Sequence, residues 1–290
     1  MLQQITFRYG KVKAFGVRWR AVILPVALIV LIAGLVWSVR DLGVSVSDVR
    51  WDALAIAFLA TLPASIYLNS VEFRLCGEAI GKRLDLAHAL KVTTAGTIAN
   101  ILPVPASLAI RGKALMDKGA GLTDSGKILG LAATMWVFTA MFITGLSLPG
   151  LVLSVVIGGT GLLGMIVIAL LIARWSSIQL GLEFALVRLG MLVLFVLRMI
   201  LIFTALCIAV SISDAGILSG VGIISATVAI VPSGLGVTEG AGALLATVRD
   251  ASPAAAFLAL TLNRIMSLSA NGIAFAGLHI WSIPPKGEPV

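Results

Sequence analysis

Val231-Pro232-Ser233-Gly234-Leu235-Gly236-Val237-Thr238-Glu239-Gly240 interrupts an otherwise apolar stretch of the chain. Proline removes a backbone donor and breaks a helix, and closely spaced glycines permit positive φ and close backbone approach. In water such a segment reads as a loop. Here it joins two hydrophobic arms, Ile217–Ile230 of 14 residues and Ala241–Val248 of 8. Each is shorter than the roughly 20 residues that cross a bilayer. Non-helical backbone at membrane depth survives only where protein buries it or a wet cavity meets its polar groups. Glu239 lies inside the break, and an ionisable residue in that position marks a functional site by default.

Composition agrees with a membrane setting. Of 290 residues, 59% are hydrophobic and 12% charged, with a mean hydropathy of +1.09. Soluble domains carry about 25% charged residues. The alternating ten-residue segments of a membrane barrel are absent. The expected fold is therefore all-α: a polytopic helical membrane protein. The net charge of +8 comes from basic residues that flank hydrophobic spans. It reads as a topology signal and as contact with anionic headgroups, and nucleic acid is not expected as a partner. Cys76 falls in an expected loop and Cys207 in an expected span, so no disulfide framework is implied.

Taken outward from the break, the chain divides into a basic cytoplasmic N-terminus (1–20), one transmembrane domain (21–281) and a cytoplasmic tail (282–290). Arg8, Lys11, Lys13, Arg18 and Arg20 precede the first apolar run, Ala21–Val39, which is too long for a signal peptide and lacks a cleavage pattern. Further spans are expected at Ala53–Val71, with Pro63 as a kink, at Ile128–Leu148 and Leu151–Ile172 around a Pro149-Gly150 turn, at Leu189–Val210, and at Ala254–Ile280. Arg174 and Arg188 mark a return to the cytoplasm, and Ser211–Gly216 is an outside turn. A second break, Asn100-Ile101-Leu102-Pro103-Val104-Pro105, splits the piece Val92–Ile110. If that piece enters and leaves by one face, Arg111, Lys113, Lys118 and Lys127 all stay inside.

This model puts 16 Lys and Arg inside, three outside (Arg40, Arg50, Arg249) and two within spans (Arg198, Arg264). Both termini are then cytoplasmic, and the two broken segments enter from opposite faces. Pro103 and Pro232 are 129 residues apart, one in each half (about 21–148 and 151–281). Paired Gly/Pro-interrupted segments at corresponding positions point to an inverted repeat with a midplane site. The expectation is about six full spans and two re-entrant hairpins in the inner or plasma membrane.

Residues 231–240, followed by Leu262-Asn263-Arg264, resemble the Pro-Gly-Gly-x-Gly-x-x-Glu and downstream Arg signature of the transmembrane region of lysylphosphatidylglycerol synthetases/flippases. That region also occurs as stand-alone membrane proteins beside envelope glycosyltransferases. Arg74, Asn100, Pro103 and Arg111 resemble the Arg…Asn-x-x-Pro…Arg pattern of its first half. The chain departs at Ser233, where the family has Gly, and lacks a Gly-Glu pair between Pro103 and Arg111. The resemblance implies a flippase-like fold with two re-entrant hairpins. No soluble aminoacyl-transferring domain follows, so aminoacylation is not implied.

The expected substrate-binding set is Arg198, Pro232, Gly234, Gly236, Glu239, Asn263 and Arg264 with Asn100, Pro103 and Arg111. For most of these a plainer role stands beside the functional one. Glu239 could satisfy backbone amides at a helix start, or pair with an intramembrane cation. Arg198 and Arg264 could form structural pairs, or bind phosphate through the guanidinium fork. Asn100 and Asn263 could only stitch helices together. Arg111, Lys113 and Lys118 could be an ordinary basic flank.

Gly159-Thr160-Gly161-Leu162-Leu163-Gly164 matches a dinucleotide fingerprint, but it lies inside a span with no strand before it, and helix packing explains it better. His88 and His279 have no metal-ligand spacing, and no Walker lysine or nucleophile–base set is present. No cofactor, metal or catalytic activity is expected. The reading is a flippase-like protein that translocates an anionic phospholipid or a lipid-linked envelope intermediate. The alternatives are a non-transporting partner of an envelope glycosyltransferase, and a small-anion carrier. A homodimer is a further possible assembly.

Overall fold

The computed structural model describes residues 25–26, 28–100, 106–228 and 236–280. Among these residues the protein is all-α, without strands. Ten helices follow in order: α1 (residues 28–42), α2 (Trp51–Ala79), α3 (Leu86–Ala99), α4 (Ala106–Asp117), α5 (Leu122–Ser147), α6 (Leu151–Trp175), α7 (Ile178–Ala205), α8 (Ile212–Val228), α9 (Val237–Val248) and α10 (Pro253–Ile280). Four of them, α2, α5, α6 and α7, are long and apolar enough to cross a membrane. The protein is a helical membrane protein.

Pro63 does not end α2. Residues Ala57–Thr61 form a single π-helical stretch just before Pro63. Pro63 has no N–H to offer the carbonyl four residues back, and its ring crowds that carbonyl, so the turn widens there. α2 is thus continuous over 29 residues, with a π-helical stretch just before the position of the expected kink.

Two expected boundaries are corrected. The second span runs past Val71 to Ala79, so Cys76 is a fully buried helix residue and not a loop residue. The fifth span begins at Ile178, eleven residues before the expected Leu189. Ser177 caps it by accepting the Leu180 N–H at 3.1 Å. Gln179, Glu183 and Arg188 lie on its first turns, and these polar residues disguised a helix as a loop. Arg188 is therefore no cytoplasmic marker, being 1% exposed inside the bundle. Cys207 lies just beyond α7, exposed and at φ 57°, outside any span. Asp214, expected in a turn, sits in the first turn of α8, where its N–H bonds the Ser211 hydroxyl at 3.0 Å.

α5 and α6 form a hairpin through Gly150, at φ 90°. Their contact is close because small residues line it. A methyl group on Gly145 would overlap the Gly158 backbone, and one on Gly161 would overlap Phe142. Gly164 meets the Phe138 ring, whereas Gly159 faces open space. The apparent dinucleotide fingerprint is thus a helix-packing stripe. α8 packs on the other flank of α5, with Ser213 donating to the Ser147 carbonyl at 2.5 Å. α1 reaches α10 by placing Gly34 on the Phe257 ring.

α3 and α4, of 14 and 12 residues, are about 21 and about 18 Å long. They fold against each other: Gly96 lies on Ser107, and the Ser107 N–H bonds Asn100 Oδ1 at 3.3 Å. Lys82, before α3, sits beside Gly119, after α4. The later short pair is tied at its own base, where Arg249 at the end of α9 holds Asp214 at the start of α8 at 3.0 Å.

Two large apolar cores result, with a small third cluster of Ala140, Leu192 and Ile223. One contains Phe73, Leu115, Ile128, Ile172 and Phe184; the other contains Leu62, Met199, Ile202, Ala256 and Leu260. α2 and α7 run antiparallel through both, the Arg50 N–H bonding the Ala205 carbonyl at 2.8 Å. Between the two cores these helices carry polar side chains.

Candidate functional site

The polar layer is built on one face of α2. Ser65, Asn69 and Glu72 stand at i, i+4 and i+7, which a helix brings into one line. Each meets an arginine from another helix. Ser65 Oγ accepts from Arg198 Nη1 at 3.2 Å. Asn69 Oδ1 accepts from Arg111 Nη2 at 2.8 Å. Glu72 Oε1 meets Arg188 Nη2 at 2.5 Å. Arg188 and Arg198 both come from α7, ten residues and about 15 Å apart along its axis, so that helix supplies cations at two levels.

Around the lower level lies a cavity of about 300 Å³, lined by Asn69, Glu72, Asn100, Arg111, Trp136 and Arg188 among others. Its volume is at the small end of the range for ligand pockets. Arg188 also donates to the Ala132 carbonyl at 2.8 Å, and its guanidinium carbon lies 4.3 Å from the centre of the Trp136 ring. Arg111 lies 5.8 Å from the Phe73 ring centre. These ring faces and the α2 acceptors fix two guanidinium planes. Donors remain: among the described residues, Arg111 Nε and Arg188 Nε and Nη1 are buried without a hydrogen-bond partner, as is Glu72 Oε2. Unsatisfied buried polar atoms are costly, and a ligand with oxygen acceptors would satisfy the arginine donors.

A second ionic group lies where α9 meets α10. Glu239 Oε2 accepts the Gly236 N–H at 2.9 Å, in the first turn of α9. Its Oε1 is 2.8 Å from Arg264 Nε, close enough for an ion pair although no N–H is aligned on that oxygen. Gly236 has φ 75°, the left-handed region the break needs. Glu239 thus both caps a helix and pairs with a cation, and it is fully buried. Next to Arg264, Asn263 Oδ1 accepts from Arg198 Nε at 2.7 Å. Arg198, in turn, stacks 4.9 Å from the Phe195 ring, and Phe195 lines the cavity.

The structure therefore brings Arg198 and Asn263 together, and Glu239 and Arg264 together. Arg111 and Asn100 are placed on the cavity. Pro103, Pro232 and Gly234 lie outside the described residues. Sequence reasoning missed Ser65, Asn69, Glu72, Trp136 and the buried role of Arg188. The signal was present in α2, because three polar residues at helical spacing inside an apolar span mark a face that must find polar partners. Among the described residues, no group of three His, Cys, Asp or Glu could hold a metal ion. Comparison of the chain with protein-family models, with curated proteins and with solved structures finds no match.

Proposed function

We propose that the protein is a flippase-like membrane protein, moving an anionic phospholipid or a lipid-linked envelope intermediate between the leaflets of the cell membrane. One observation carries this reading: Arg111 and Arg188 line one cavity in the bundle with buried, unpartnered donors. Guanidinium groups bind phosphate oxygens in a fixed fork geometry, and burial strengthens the contact. A protein serving only as a scaffold has no need of such charges, which cost free energy within a membrane.

On this reading α3/α4 and α8/α9 are re-entrant hairpins, each leaving by the face it entered. The short arms of both pairs, the Arg249–Asp214 tie at the base of α8/α9 and the nearness of Lys82 to Gly119 at the base of α3/α4 support that arrangement. Among the described residues the order long, short pair, long occurs in α2–α5 and again in α7–α10, which supports an inverted repeat with the site near the midplane. The termini would both be cytoplasmic, and the family resemblance of residues 231–240 and 262–264 fits the same picture.

Reconstitution tests the proposal. Vesicles holding purified protein and fluorescent phosphatidylglycerol are treated with an impermeant reductant that bleaches only the outer leaflet. Wild-type protein is expected to expose inner-leaflet lipid to bleaching, and Arg111→Gln to slow this with the protein still monodisperse. If wild-type vesicles, tested with phosphatidylglycerol and with a fluorescent polyprenyl phosphate and diphosphate, bleach no further than empty ones, the transport reading is wrong.

A further inference from the structure

We infer that the cavity accepts a headgroup of one net negative charge, a phosphodiester, and that Glu72 is the residue that sets this limit. The inference rests on the reading of the cavity as the headgroup site and narrows its ligand.

Among the described residues, the charged side chains that line the cavity are Arg111, Arg188 and Glu72. The two breaks, 101–105 and 229–235, contain no ionisable residue. Two arginines against one glutamate leave an excess of one positive charge. Glu72 is engaged with Arg188 through Oε1. Arg111 is held by the amide oxygen of Asn69, and among the described residues no carboxylate lies within ion-pair distance of it. A neutral acceptor orients a guanidinium and leaves its charge uncancelled. Glu72 and Arg188 are fully buried, so water does little to disperse charge at that end of the cavity.

The buried atoms left without partners agree with that count. Arg111 Nε and Arg188 Nε and Nη1 are donors, and Glu72 Oε2 is an acceptor. A phosphodiester offers anionic oxygens to the donors and brings the single charge that balances the cavity. A zwitterionic headgroup of no net charge leaves the excess in place. A dianionic headgroup overshoots it, and its second charge shares a cavity of about 300 Å³ with Glu72 and no remaining cation. Uncompensated charge in a buried site is expensive in either sign. Glu72 Oε2 can accept a hydrogen bond from a headgroup hydroxyl, whereas it repels a further anionic oxygen. Phosphatidylglycerol answers this description, as does a polyprenyl lipid joined to a sugar through one phosphate. A lipid diphosphate does not.

Binding of short-chain lipids to the purified protein in a neutral detergent tests this. The probes are dihexanoyl phosphatidylglycerol, phosphatidylcholine and phosphatidic acid, in a buffer alkaline enough to give the last two negative charges. Glycerophosphoglycerol serves as the phosphodiester without tails. Wild-type protein should bind phosphatidylglycerol about tenfold or more tightly than either other lipid, since each of those leaves one charge unbalanced. Glu72→Gln raises the excess to two and should place phosphatidic acid ahead of phosphatidylglycerol. Should Glu72→Gln fail to fold, Asn69→Asp keeps the oxygen that holds Arg111 and lowers the excess to zero. It should remove the preference for phosphatidylglycerol over phosphatidylcholine. Phosphatidic acid binding wild-type protein as tightly as phosphatidylglycerol, with phosphatidylcholine weaker, overturns the inference and leaves the transport reading intact. So does an unchanged order of the lipids in Glu72→Gln, or in Asn69→Asp. Equal binding of all three lipids overturns the headgroup reading of the cavity together with the inference. A preference for phosphatidylglycerol with no lipid movement in vesicles overturns the transport reading alone. Glycerophosphoglycerol binding as tightly as phosphatidylglycerol overturns the lipid assignment in favour of a soluble phosphodiester.

Discussion

Arg188 Nη2 lies 2.5 Å from Glu72 Oε1, joining side chains 1% and 0% exposed that stand 116 positions apart in the chain. This contact fixes α7 against α2 at the level where the two apolar cores separate. Breaking a buried pair by removing one partner costs about 3–5 kcal/mol, because the other charge is left unpaired. Glu72→Gln and Arg188→Gln should each lower thermal stability in detergent sharply, read from the loss of monodisperse protein on heating. The double change Glu72→Leu with Arg188→Met should recover much of that stability and not recover anion binding. If the double variant binds as wild type does, the pair is structural only.

Glu239 serves two partners, and they can be separated. Glu239→Gln keeps an acceptor for the Gly236 N–H and loses the charge that faces Arg264. Glu239→Ala loses both, and should be less stable than the glutamine variant by about 1 kcal/mol, the usual worth of a helix N-terminal cap. Melting curves of the two variants give the comparison directly. Equal stabilities would mean that the carboxylate adds nothing to the start of α9 beyond its charge. Arg264→Ala should stop lipid movement with protein level maintained; loss of the protein instead would assign the pair to folding.

The two cysteines report on topology without added labels. Cys207 is exposed beyond the end of α7, and Cys76 is buried in α2. With both termini cytoplasmic, an impermeant maleimide applied to intact cells should label Cys207 and leave Cys76 untouched until the protein is denatured. Labelling of Cys207 only after the membrane is opened would invert the proposed orientation. A cysteine at Lys118 should behave in the opposite way, because the proposed topology puts the base of the α3/α4 pair inside.

Much of this architecture was legible in the sequence. The Pro149-Gly150 turn and the apolar runs on either side of it depend on local chemistry, and the hairpin sits where that chemistry puts it; the two Gly/Pro breaks fall largely outside the described residues. The start of α7 was not legible, because Gln179, Glu183 and Arg188 look like an exit from the membrane when their partners are unknown. Arg188 needs Glu72, Ala132 and Trp136 to be tolerable inside the bundle, and those come from two other helices. Pairing at such sequence distance leaves no periodic mark. The stripe Ser65, Asn69 and Glu72 did leave one, hidden by the expectation that the second span stopped at Val71.

Close packing of α5 on α6 gives the last prediction, in which neighbouring glycines of one apparent motif behave oppositely. Gly161 carries no side chain because the Phe142 backbone occupies that space, and Gly145 faces the Gly158 backbone in the same way. Backbone cannot move aside as a flexible side chain does, so Gly161→Ala and Gly145→Ala must separate the helices. Overpacking of this kind costs typically about 1–3 kcal/mol. Separation would also shift Ala132 and Trp136 on α5, which hold the Arg188 guanidinium. Gly159→Ala, two residues away on the open face of α6, meets nothing within 4 Å. It should leave stability unchanged or raise it slightly, since alanine favours the helix. Thermal unfolding of the three variants in one detergent decides the matter. A dinucleotide site would instead make all the motif's glycines matter through ligand binding, so equal sensitivity at Gly159 and Gly161 would overturn the packing account.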